Sequence, residues 1–325
     1  MGENLFLRYE PRLIEEAVFF AQRNGQAAVD LGQQRNHIYE IADPEERERL
    51  FRKLYGAWFV RLGLEQPIER AFREQPLILS EVKACLIGRA TKAADEGAEL
   101  FVHLDHDSHD ERQRTVRILL RPEALLSRES LLTLLRHELF HIADMLDPAF
   151  AYVPDLPASQ TGPTYDSLLQ CRYTMLWDTA INGRMVKRGW LADSMRQQQL
   201  GEFVACFPML QQDAAKIFSG FFDQQMHTHA EFVAFAQNPR AATGNARTSA
   251  RPGGRCALCN FPTHAYENNP EHLDAALVAA IHEDFPQWSP EQGLCQQCAD
   301  LYRARHLSSA AARAIPGWQP CSSNK

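Results

Sequence analysis

The chain has 325 residues, enough for two or three domains, and its 45% apolar and 23% charged residues are the balance of a globular protein. A formal net charge of −7 argues against a protein built around a nucleic-acid surface and leaves room only for a local basic patch. No apolar run approaches a membrane span, Met1-Gly-Glu-Asn-Leu-Phe carries no secretory signal, and Cys85, Cys171, Cys206 and Cys321 are scattered. A cytoplasmic chain without membrane contact is expected.

Residues 1–96 read as a helical N-terminal region. Pro11 to Gln22 is amphipathic. Asp43-Pro-Glu-Glu opens a second helix with a cap, a proline in the first turn and acids at the positive end of the dipole. It runs into Leu50 to Phe59, whose aromatics suit a core better than a binding box. A third helix is expected over Leu79 to Asp95.

The period then changes. Ala98 to Leu104 and Thr115 to Arg121 alternate as a strand pair would. The connection holds His106, His109, Asp105, Asp107 and Asp110, with His103 just before it, and reads as a solvated turn rather than a metal cluster.

The densest chemistry follows in His137-Glu138-Leu139-Phe140-His141. Two imidazoles four residues apart share one helix face and can grip a single Zn²⁺, while Glu138 can accept a proton from a metal-bound water. Ser127 reads as the N-cap of this helix and Pro148 as its stop. Ser130, Thr133, His137, His141 and Asp144 form one polar seam in an otherwise apolar helix, as a metal site inside a cleft needs.

A catalytic zinc takes a third protein ligand. Asp144, Asp147 and Asp178 compete. Asp147 sits where metzincins carry their third histidine, but Asp144 replaces the glycine of their turn. Asp178 lies in a second helical stretch, Tyr165 to Arg184, with Asn182 four residues on. This arrangement resembles the gluzincins, in which a later helix brings an acidic ligand and a polar residue one turn beyond it. Asp178-Thr-Ala-Ile-Asn182-Gly183 is also similar to the D-x-x-I-N-G element of predicted metallopeptidases that carry a von Willebrand A-like domain, although no such domain is evident here. The resemblance covers the two helices and implies Asp178 as ligand, with Asn182 orienting a histidine. For the electrophilic role toward a developing oxyanion, Tyr165, Tyr173, Arg184 and His229 are candidates, Tyr173 and Arg184 first among them.

Further helices are expected near Leu191 to Gly201 and Phe203 to Ala236. Residues 237–255, rich in Gly, Pro and small residues with four arginines, read as a flexible basic linker. Cys256-Ala-Leu-Cys259 and Cys295-Gln-Gln-Cys298 then supply two knuckles for a closed, structural Zn²⁺ site, with a helical insert near Pro270 to His282 and a helix after Cys298. The layout resembles a treble clef or extended zinc ribbon over 256–306. The tail, 307–325, is expected to be poorly ordered.

The sequence thus points to an α+β, predominantly helical fold. A zincin-like catalytic domain over 97–236 would carry a small sheet on the HExxH helix, followed by a small zinc module. The expected activity is that of a zinc metallopeptidase with one catalytic and one structural Zn²⁺. Its substrate would be a protein or peptide lying extended near Val102 or Val116, and the zinc module could recruit a protein partner. HExxH followed by a zinc module is similar in outline to SprT-like proteases, which act on nucleic-acid-associated proteins. A non-catalytic zinc-binding adaptor is the alternative.

Overall fold

The computed structural model describes residues 6–25, 28–104, 112–157, 163–224, 226–239, 254–259, 261, 263–267 and 273–314. The chain divides into two compact units. The first comprises Met1–Val153, Asp178–Gln199 and Phe221–His229, and the second Pro154–Trp177, Leu200–Gly220 and Ala230–Lys325. The fold is predominantly helical with one four-stranded sheet, an α+β architecture.

In the first unit the strands are β1 (Phe6–Tyr9), β2 (Ala84–Arg89), β3 (Gly97–Leu104) and β4 (Arg112–Leu120), in the order β1-β2-β4-β3. β1 and β2 pair in parallel, as do β2 and β4, while β3 runs antiparallel to β4 as an edge strand. The pleat sends Cys85, Ile87, Val116, Ile118 and Leu120 into the core and leaves Leu86 and Phe101 on the open face.

Five helices precede or interrupt the sheet: α1 (Pro11–Arg23), α2 (Ala28–Tyr39), α3 (Pro44–Arg61), α4 (Gln66–Arg73) and α5 (Pro76–Glu81). The Asp43 carboxylate accepts from the Glu45 N–H at 3.1 Å, so α3 begins with the cap that the sequence announces. The central helix α6 (Arg128–Leu146) packs against α4, α5 and β3, burying Leu131, Leu135, Leu139, Ile142 and Leu146. Pro148 follows its end closely.

Three local expectations change. Leu79 to Asp95 is not one helix: α5 stops at Glu81 and Ala84–Arg89 is a strand with neighbours on both sides. β1, like β2, lies in the N-terminal region expected to be helical, so strands from either side of residue 96 share the sheet. Ser127 occupies the N-cap position of α6, but its side chain makes no capping bond.

Then come α7 (Pro163–Lys187), α8 (Ser194–Cys206), α9 (Ala214–Asp223) and α10 (His229–Gln237). In the second unit an aromatic cluster forms around Phe203, with Phe207 at 4.7 Å and Phe218 at 5.6 Å between ring centroids. That unit also holds a small cysteine module with α11 (Ala275–Asp284) and α12 (Gln296–Ala314) around Leu277, Ile281, Trp288, Leu294 and Tyr302. The helical insert starts five residues later than expected, and α12 runs through the first part of the expected loose tail. The His/Asp connection at 105–110 and most of the basic linker, 240–253, lie outside the described residues. Among the described residues no helix is long and apolar enough to cross a membrane.

Candidate metal centres

Along α6 the four-residue spacing brings the rings of His137 and His141 to 5.0 Å between centroids, inclined by 71°. Both reach toward one carboxylate on α7. His141 Nε2 lies 3.1 Å and His137 Nε2 3.7 Å from Asp178 Oδ1. Donors about 2.0–2.1 Å from a tetrahedral Zn²⁺ lie about 3.3 Å from one another. The observed separations bracket that value, and one donor atom from each of the three residues falls within 4.8 Å of the others. All three are half-buried, so the site keeps access to solvent and is not sealed in the hydrocarbon core. The donor set, two imidazoles and a carboxylate, suits zinc and leaves a coordination position for water.

The three competing aspartates separate cleanly. Asp178 joins the histidines. Asp144 is buried, and its oxygens take Nη1 and Nη2 of Arg184 at 2.7 and 2.5 Å. Asp147 closes the exit of α6, accepting from the Ala149 N–H at 2.8 Å. Asn182, expected to orient a histidine, instead donates to Gln199 Oε1 at 2.7 Å and so links α7 to the middle of α8.

Glu138 stands beside the histidines. Its Oε2 accepts the backbone N–H of Ala98 at 3.1 Å, and its Oε1 lies 3.5 Å from His137 Nδ1. Burial pushes its carboxyl up, but the His137 ring, the Ala98 N–H and the fields of both imidazoles outweigh burial and hold it below the usual range. It is therefore an ionised acceptor pinned to the start of an edge strand. Its neighbours Gly97 and Ala98 cannot be found from sequence, because a backbone N–H has no residue signature.

The two candidate electrophiles have other partners. Arg184 is fully engaged by Asp144. Tyr173, in the second unit, is buried with the rings of Trp177 and Phe232 at 5.6 and 6.1 Å. His229 is buried too; its backbone N–H donates to the Phe150 carbonyl, its ring packs on Phe150 and Tyr152, and burial lowers its pKa. The side chain of Tyr165 lies outside the described residues.

The second centre is a closed cage. Cys256, Cys259, Cys295 and Cys298 cluster closely enough to hold one metal ion. Sγ–Sγ distances of 3.9 Å join Cys256 to Cys298 and Cys259 to Cys295. Four sulfurs about 2.3 Å from a tetrahedral zinc would sit about 3.8 Å apart. Backbone N–H groups of Leu258 and Cys295 point at Cys256 Sγ at 3.4 and 3.2 Å, and that of Cys298 at Cys295 Sγ at 3.3 Å. Burial pushes the Cys256 thiol up, but N–H donors from Cys259, Cys295 and Leu258 draw it down to about 7. Cys298 is driven up, by burial first and then by the sulfurs facing it, which is the repulsion a divalent cation would cancel. An antiparallel bridge between Tyr266 and Cys295 ties the insert to the second knuckle, which leads into α12. His282 is not a ligand: its Nε2 lies 2.8 Å from the Trp288 carbonyl.

The sequence matches no protein-family model, and comparison with curated proteins and with solved structures finds no match.

Proposed function

We propose that the chain is a zinc-dependent hydrolase of metallopeptidase type. His137, His141 and Asp178 would hold the catalytic ion, and the four cysteines a structural one. The observation that carries this reading is the convergence of three donors from α6 and α7 with a carboxylate beside them. A zinc ion bound there would supply an acidified water and a Lewis acid for the scissile carbonyl. Glu138 accepts the water's proton and returns it to the leaving amine. Its lowered pKa keeps it ionised, and the Ala98 N–H fixes its orientation.

Among the described residues no strand pairs with the outer edge of β3, which beyond the Ala98 N–H would offer backbone groups to an extended peptide, with Val102 half exposed at 50%. Val116 does not serve: it lies on β4 between two paired neighbours and is fully buried. Arg184 acts on the site by clamping α7 to α6 through Asp144, which holds Asp178 in register with the histidines.

A second reading has one observation in its favour. The bond from Ala98 to Glu138 would also suit a purely structural carboxylate in a zinc-binding adaptor. One experiment separates the two. Glu138→Gln keeps the shape and one acceptor oxygen for the Ala98 N–H but cannot take a proton, so peptide hydrolysis should fall about 10²–10⁴-fold with zinc content unchanged. A zinc-replete wild type that cleaves no peptide or protein would leave the adaptor, and an equally active Glu138→Gln would remove Glu138 as the base.

A further inference from the structure

Beside the metal ligands, α6 and the end of α7 build a ladder of guanidinium groups and aromatic rings. Arg136, Phe140 and Asp144 follow one another at four-residue spacing on α6; Arg184 and Arg188 do the same where α7 ends. Arg136 is nearly buried, and its Nε and Nη2 each donate to the Glu74 carboxylate at 2.7 Å. Its Cζ lies 4.2 Å from the centroid of Trp190. Arg184, at the other end, pairs with Asp144 and sits 4.6 Å from the Phe140 centroid. Arg188 shares a ring with each of them, 4.9 Å from Trp190 and 4.8 Å from Phe140.

Three cations are thus held by two aromatic rings, and only two of them have a carboxylate. Among the described residues no acid pairs with Arg188. Glu74, whose field reaches it, already gives both oxygens to Arg136. Burial and the neighbouring Arg184 charge both disfavour its protonated form, so a negative partner would relieve the whole cluster. The dipole at the end of α7 attracts a cation in general, but it does not call for a guanidinium fixed against two rings. Arg188 is nevertheless exposed, so an incoming group can reach it.

We propose that Arg188, fixed against Trp190 and Phe140, is the anchor of a binding site for an oxyanion, a carboxylate or a phosphate. The planar fork matches two oxygens of such a group, and the rings fix the fork in advance, so little side-chain entropy is lost on binding. The site lies on the far side of α6 from Glu138, since Arg136 and Glu138 flank His137 in sequence by one residue each and so diverge around the helix. It needs no hydrolysis to be real, and its failure would leave the metal site untouched.

The test is nuclear magnetic resonance on the zinc-loaded full chain. The Nε–H signal of Arg188 is identified by its loss in Arg188→Lys. On titration with inorganic phosphate this signal should shift and saturate, while that of the exposed Arg23 should not. Arg188→Lys, which keeps the charge but not the fork, should bind phosphate at this site about tenfold more weakly, read from the Trp190 indole N–H. A glutamate-containing peptide that shifts the signal where its glutamine counterpart does not would place the anion on a polypeptide; saturation by phosphate alone would make it a free oxyanion. Phosphate bound only at the zinc, or a shift that merely follows ionic strength in Arg188 and Arg23 alike, would overturn the proposal.

Discussion

Glu138 owes its room to a glycine. A Cβ built on Gly97 would stand 3.3 Å from Glu138 Oε2, tighter than ordinary van der Waals contact. The backbone there is extended strand and needs no left-handed conformation, so the residue is small because the carboxylate is close. Gly97→Val suits a strand in propensity, and the fold should survive it. Its branches would press on Glu138 and displace it from the Ala98 N–H. If Glu138 is the base, hydrolysis should drop about 10²-fold while zinc stays bound, because catalysis falls steeply with misplacement on the ångström scale. Turnover and metal content measured on one preparation decide this. Undiminished turnover would mean that Glu138 has slack, and with it would go the claim that β3 positions the base.

At the scale of elements, a second glycine shows how α7 is seated. A Cβ on Gly183 would run into the carbonyl of Phe222, a backbone atom that cannot swing aside. Nearby, Lys187 of α7 donates to the Asp223 carbonyl and Arg196 of α8 pairs with the Asp223 carboxylate at 2.6 Å, so the end of α9 is held by both helices. In an exposed helix interior, Gly→Ala gains about 1 kcal/mol. Here the sign should reverse. Gly183→Ala should cost about 1–3 kcal/mol through overpacking and lower the thermal midpoint, with some loss of zinc as Asp178 shifts. A variant as stable as wild type would show that the close approach is absent. The D-x-x-I-N-G pattern therefore had a legible half and a hidden half. Asp178 could be read as a companion of the two histidines because helix periodicity and donor chemistry are local. Gly183 had no reading and Asn182 was given the wrong partner, because Phe222 and Gln199 lie outside the pattern along the chain. Strand β2 was misread for a similar reason: Ala84-Cys-Leu-Ile is a short apolar run that fits a helix or a strand, and only its neighbours β1 and β4 choose. α6 was legible almost whole, since its polar seam and the proline after it sit within one stretch of sequence.

For the molecule as a whole, the two candidate centres should behave as independent metal sites with different consequences. The first unit buries a broad core, from Leu13 and Val18 through Phe59, Phe72 and Ile118 to Leu139 and Ile142, which does not depend on a metal for its cohesion. The cysteine module relies on a handful of side chains, chiefly Leu277, Ile281, Trp288, Leu294 and Tyr302, and on sulfurs that repel one another when no cation joins them. A core that small needs its ion to fold. Two zinc ions per chain are expected. His137→Ala should lose one, and Cys256→Ser the other. Chelation of a wild-type chain should then abolish amide protection in α11 and α12 while protection in α3, α6 and β4 persists, a pattern that hydrogen exchange reads directly. One zinc lost equally by either variant would merge the two centres into a single event. Protected α11 and α12 after complete zinc removal would show that hydrocarbon alone holds the module, and the four cysteines would then need a different explanation.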